Sequence, residues 1–188
     1  MARVLLSWIA HTHDFAEAPG GGRAVNTDGP TAGVHQHFWR YDRHLLLSQN
    51  VEGRGDPRVT ALLGYLGRVH PGHAVEPVYL GVRDVIDVRE IMEKVERVLA
   101  GLRGHEVEVY ISPGTPAMQI AWYLLALGHP IRLFQVRPAQ VSASGTAEQA
   151  YVEVERAPEA AALAIREEAP PAEGTPCLLY TSPSPRDS

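Results

Sequence analysis

The sequence predicts an α/β fold built on a mainly parallel sheet. Short apolar runs of strand length recur along the chain, and amphipathic helical segments separate most of them. A parallel pair needs a long crossover, and here the crossovers are helical, so helices are expected on both faces of the sheet. This is a Rossmann-like three-layer arrangement.

The first expected strand is 4–9 (VLLSWI). The first crossover helix is missing after it: residues 18–33 carry glycines, Pro19 and Pro30, and predict a long loop, with 34–41 as a short helical piece. Residues 44–48 (HLLLS) form the second strand. Asp56 then stands as an N-cap before Pro57 at the first helical position, and Val59, Leu62, Leu63, Leu66 and Val69 share one helical face. The third strand is 75–81 (VEPVYLG). Asp87 and Glu90 make an Asp-x-x-Glu variant of the capping box, leading into Ile91, Val95, Val98, Leu99 and Leu102.

The fourth strand, 107–112 (VEVYIS), breaks at Ser112-Pro113-Gly114-Thr115-Pro116 and resumes as a helix that is apolar nearly all round. Thr115 is the expected N-cap, Pro116 takes the position where a missing N–H costs nothing, and Gly114 lets the backbone approach a ligand. Gly128 ends that helix as its C′ residue. Residues 131–136 (IRLFQV) are the fifth strand, and 151–155 (YVEVE) alternate as an edge strand does.

The chain has 188 residues, 45% of them hydrophobic, enough for one core, so residues 1–156 are expected to be one domain. From Ala157 the composition turns to Ala, Pro and Glu, and 157–188 are expected to be a disordered linker and tail. Residues 177–188 (CLLYTSPSPRDS) resemble translated sequencing-adaptor peptide ends; on that reading the natural protein is longer and leads to an effector. A formal charge of −5 argues against an electrostatic grip on long nucleic acid or acidic lipid. A single cysteine, Cys177, excludes an intramolecular disulfide framework. No segment has the plan of a membrane span or a signal peptide, so the cytoplasm is expected.

In an open parallel sheet, ligands bind outside the carboxyl ends of the strands, where strand order reverses. The first strand ends there in Ser7, Trp8, Ile9, Ala10, His11, Thr12, His13 and Asp14, the fourth in Ser112, Pro113, Gly114, Thr115 and Pro116, and the second adds Ser48, Gln49 and Asn50. A helix start such as that at Pro116 offers unpaired N–H groups and the positive end of the helix dipole, which suits a phosphate. Gln119 is the polar exception on the apolar helix, expected either to face solvent or to point at the ligand or across an interface.

The segments VLLSWIAHTHD and ISPGTPAMQIAWYLL together resemble the CARF domain, the CRISPR-associated Rossmann-like sensor, and most closely the sensor of sigma-54-dependent RNA-repair transcriptional activators. The resemblance covers about residues 2–137. It implies a homodimer that binds cyclic oligoadenylate, the cyclic tetra- or hexa-adenylate, across its two-fold axis and controls a fused effector. It also implies a first ligand loop of Ser7, Trp8, Ile9, Ala10, His11 and Thr12 and a second of Ser112, Pro113, Gly114, Thr115, Met118 and Gln119. In the repair activators the expected order is His-Thr followed directly by Asp; here His13 intervenes before Asp14, and the glycine-rich loop is an extra element.

Four other readings compete. His11-x-His13 with His35-x-His37 resembles an amidohydrolase metal set, but the chain is too short for that barrel, and no metal is expected. No G-x-G-x-x-G follows the first strand, so no nicotinamide cofactor, and no other, is expected. A metal-independent ring nuclease is the nearest enzymatic alternative, with His11 as candidate acid or base. A sensor of RNA terminal phosphates is the remaining one.

Overall fold

A computed structural model of the chain describes residues 1–18, 20–51, 56–136 and 151–154. The expected boundary at 156 and the expected tail, 157–188, lie outside the described residues.

Strand β1 (Arg3–Trp8) is central. It pairs in parallel with β4 (Arg43–Ser48) on one side and β6 (Glu106–Tyr110) on the other. β5 (Val75–Tyr79) extends the sheet beyond β4, and β7 (Ile131–Val136) extends it beyond β6, both parallel. β8 (Tyr151–Val154) closes the far edge antiparallel to β7, giving the order β5-β4-β1-β6-β7-β8. The expected α/β Rossmann-like fold with a mainly parallel sheet is the fold observed. The five parallel strands present their carboxyl ends at one edge.

The segment expected as a long loop is ordered differently. β2 (Phe15–Glu17) and β3 (Arg23–Val25) form an antiparallel hairpin turned by Gly20, Gly21 and Gly22, all at positive φ where other residues are strained. Helix α1 (Pro30–His37) begins four residues before the expected helical piece, with Pro30 in its first turn and Gly29 as N-cap. A β-carbon on Gly29 would stand 2.9 Å from the carbonyl oxygens of His13 and Asn26, so glycine alone fits there.

Helices α2 (Pro57–Val69), α3 (Val88–Ala100) and α4 (Pro116–Gly128) start at the expected caps. Asp87 accepts from the Arg89 and Glu90 amides, but the Glu90 carboxylate does not return to Asp87. It takes the Arg83 and Asp84 amides and the Arg83 guanidinium instead, so it ties down the preceding loop rather than closing a capping box.

Alternation along the strands divides the core. Val4, Leu6, Trp8, Leu45, Leu47, Val107, Val109 and Leu133 pack on α3 and α4 through Ile91, Val95, Met118, Trp122 and Leu125. On the other face Leu46 and Ile9 pack on α2 through Val59, Leu62 and Leu66, and Leu5, Tyr110 and Phe134 pack on α1 through Val34. One polar network lies on that second face: Glu108, 2% exposed, accepts from the Tyr41 hydroxyl at 2.6 Å and from Arg40 at 2.8 Å, and also pairs with Arg132. Among the described residues no helix is long and apolar enough to cross a membrane.

Candidate functional site

The loops that follow β1, β4 and β6 meet at the carboxyl edge because β1 pairs directly with both other strands. Ile9 N–H still donates to the Leu47 carbonyl, and Ile111 N–H to the Phe134 carbonyl, so pairing continues to the rim.

Asp14 shapes the loop after β1. Its Oδ2 accepts from the Ala10 amide at 2.9 Å and the Thr31 hydroxyl at 2.8 Å, and its Oδ1 from the Thr31 amide at 2.9 Å. The His13 and Asp14 amides fold back onto the Ala10 carbonyl. Burial pushes the Asp14 carboxyl above its ordinary range, and its three donors oppose that shift. The result is a loop pinned between the hairpin and the start of α1.

His11 and Thr12 stand at the rim of this loop, His11 half-buried and Thr12 exposed. Both His11 ring nitrogens are closed off from solvent and have no hydrogen-bond partner. Burial, and then the positive charge of Arg58, lower its pKa, with Asp56 pulling the other way, so its imidazole is neutral near pH 7. Arg23, on β3, donates from Nη1 to the His11 carbonyl at 2.9 Å.

After β6, Gly114 turns the chain at φ 103°. Thr115 caps α4: its Oγ1 accepts from Met118 N–H at 3.3 Å and donates to the Val85 carbonyl at 2.7 Å. Pro116 brings no N–H, and the first turn of α4 carries no acidic side chain. Gln119 uses its amide nitrogen on the Ser112 carbonyl at 3.2 Å, bracing the turn from the helix side.

Of the residues expected in the site, His11, Thr12, Gln49, Ser112, Gly114, Thr115 and Gln119 reach the surface at this edge. Trp8, Ile9, Ala10, Ser48, Pro113 and Met118 are buried beneath it and hold the loops in place. Ser7 is also buried, 1% exposed, and faces the α1/α2 side. Its Oγ lies 2.8 Å from His44 Nε2; His44 Nδ1 lies 3.0 Å from His35 Nε2, and His35 Nδ1 lies 3.0 Å from His73 Nδ1. Trp39 stacks on His73 with ring centroids 4.0 Å apart, and His70 stacks on the other side of that row.

The sequence places Asn50 at this edge but does not single out Arg23 or Arg58. Asn50 Nδ2 donates to Asp56 Oδ2 at 2.6 Å, while Asp56 Oδ1 takes the Arg58 amide and Nε. Asp56 was recognised only as a cap. The signal for Arg58 was present in the chain, since a helix that starts after a parallel strand puts its first-turn side chains at the ligand edge. Among the described residues no group of three or more histidine, cysteine or acidic side chains is placed to hold a metal.

No protein-family model matches the chain. No curated protein sequence matches it either. Among solved structures the α/β Rossmann-like fold is similar to that of Enterococcus italicus Csm6 bound to cyclic hexa-2'-fluoro-hexa-dAMP, with a TM-score of 0.63 and 13% identity over 86% of this chain and 44% of that one. A type III CRISPR defence DNA nuclease activated by cyclic oligoadenylate is a second match, at a TM-score of 0.42 and 21% identity over 71% of this chain and 18% of that one. At 13% identity the likeness to Csm6 is one of fold, and this chain spans less than half of the Csm6 chain.

Proposed function

We propose that this chain is a CARF sensor domain of type III CRISPR antiviral signalling, which binds cyclic tetra- or hexa-adenylate as a homodimer and controls an effector. The observation that carries the reading is the meeting of two loops at the carboxyl edge. The pinned β1 loop brings His11 with unpartnered ring nitrogens, and the β6 loop brings a positive-φ glycine and the capped start of α4. Backbone donors and a neutral imidazole at a switch point suit phosphate and ribose groups. The fold shared with a Csm6 bound to a cyclic hexanucleotide analogue supports the same ligand class. A row of exposed apolar side chains on α4, Ile120, Leu124 and Leu127, supports the second copy, because i, i+4 and i+7 share a helix face.

Cleavage of the ring is the second reading, and the neutral, unpartnered His11 favours it. A ribose 2′-hydroxyl gives its proton to His11 and attacks the adjacent phosphorus. The bond to the 5′-oxygen breaks, that oxygen takes a proton from water or the imidazolium, and a 2′,3′-cyclic phosphate remains. Calorimetric titration with cyclic tetra-adenylate, cyclic hexa-adenylate and phosphate-terminated RNA, followed by chromatography of the ligand, separates the readings. Binding of a ring that elutes intact supports a pure sensor. Binding only of phosphate-terminated RNA replaces it with a sensor of RNA ends, as in the repair activators.

A further inference from the structure

We propose that Arg23 and Arg58, which both bear on His11, form a two-armed clamp for the phosphodiester backbone of the ligand. This rests on the oligonucleotide reading above and adds contacts from outside the two motif loops.

The arms come from different elements that are packed together. Phe15 and Val25 of the hairpin join Ile9, Val59 and Leu62 in one apolar cluster, which seats β2 and β3 against the first turns of α2. Arg23 projects from that hairpin and Arg58 from the first turn of α2. The two bear on the same residue: Arg23 donates to the His11 carbonyl, and the Arg58 charge acts on the His11 ring.

Both guanidinium groups keep unused donors. Each has five N–H hydrogens in a fixed fork that matches phosphate oxygens two at a time. Arg23 places only Nη1 on a protein acceptor, and Glu17, directly opposite it in the hairpin, forms no ion pair with it among the described residues. Arg58 engages Asp56 through Nε alone, which leaves both Nη groups open on a side chain 41% exposed. Asn50 shares the Asp56 carboxylate and so draws off part of its acceptor capacity.

His11 supplies an independent sign of a missing partner. Ring nitrogens shut off from solvent with no hydrogen-bond partner, on a side chain that is otherwise half-buried, are an uncommon and destabilising arrangement, and a phosphate or ribose oxygen drawn in by the arginines relieves it. Two separate guanidinium groups that bear on one residue, Arg23 on the His11 carbonyl and Arg58 on its ring, suit successive phosphodiesters better than a single terminal phosphate. The hairpin that stands in place of the first crossover helix thereby becomes part of the binding surface.

The test titrates the full chain with cyclic tetra-adenylate, cyclic hexa-adenylate and linear hexa-adenylate at several salt concentrations. Arg23→Ala, Arg58→Ala, Arg23→Lys and Arg58→Lys are compared with the unaltered protein, and melting temperatures confirm that each variant is folded. We expect each alanine variant to bind about tenfold or more weakly and with a shallower salt dependence, since each phosphate contact contributes to that slope. The lysine variants recover the salt slope but only part of the affinity. Unaltered binding and salt slope in folded alanine variants overturn the clamp while the ring-binding reading stands. Arginine-dependent binding of the linear probe alone supports the clamp and overturns the ring reading. Binding of no probe by the unaltered protein overturns both.

Discussion

A β-carbon placed on Gly114 would lie 3.0 Å from the Met118 sulfur, 3.2 Å from the Met118 β-carbon and 3.3 Å from Trp8 Cδ1. The glycine hydrogen that a side chain would replace therefore points into the domain, between the two motif loops, and φ of 103° adds backbone strain for any other residue. Gly114→Val is expected to lower stability by roughly 1–3 kcal/mol and to abolish ligand binding by displacing the turn. Denaturant unfolding and calorimetric titration check both. A folded Gly114→Val protein with undiminished binding sinks the assignment of this loop.

The Thr115 hydroxyl holds two segments together, since it caps α4 and also reaches the Val85 carbonyl. Thr115→Ala is expected to cost about 1–2 kcal/mol, and Thr115→Ser much less, because serine keeps the cap oxygen. The difference between the two urea midpoints is the measurement; equal losses mean that the methyl group, not the hydroxyl, matters.

Acid is expected to weaken the fold through its histidine row. Burial first, and then the neighbouring imidazoles, push His35 down to about 2, and burial pushes His44 down to about 3. The unfolded chain takes up protons near the ordinary value of 6.5 that the native rings refuse. Stability is therefore complete above that value and falls with pH below it, by up to roughly 1.4 kcal/mol per unit for each ring. Unfolding midpoints taken between about pH 7.5 and pH 5 read this slope, and a flat profile contradicts it.

Self-association is expected to run through α4. Leu124→Glu, at a position 41% exposed, places a charge in the apolar row without touching the core and should shift sedimentation from dimer to monomer. A protein that sediments as a monomer at micromolar concentration, with and without ligand, rules out the dimer.

Much of this fold was legible because its signals are local. Asp56-Pro57 and Thr115-Pro116 each pair a cap with a preset first turn, and the structure starts helices at both. The hairpin was not legible: strands of three residues fall below the length at which alternation shows, and Gly20, Gly21 and Gly22 mark a turn without saying what flanks it. Asp87 and Glu90 show the limit of a short motif, since the cap formed while the glutamate went to Arg83 and Asp84. At the site, the two loops and Asn50 followed from strand order, and the first-turn place of Arg58 carried its signal, but Arg23 arrives only through tertiary packing, which no spacing in the chain records.

The row from Ser7 to His73 obeys a rule of its own. A neutral imidazole has one hydrogen to give, and His44 and His35 each have a hydrogen-bond neighbour on both sides. The hydrogens therefore run all one way: either from the Ser7 hydroxyl outward to His73, or from His73 inward, leaving Ser7 Oγ as an acceptor. Turning any one of them obliges the rest to turn, as in a line of water molecules in ice. A proton taken up by half-buried His73 leaves only the inward order, so the direction of a hydroxyl sealed beneath the β1 loop is decided at the periphery of the domain.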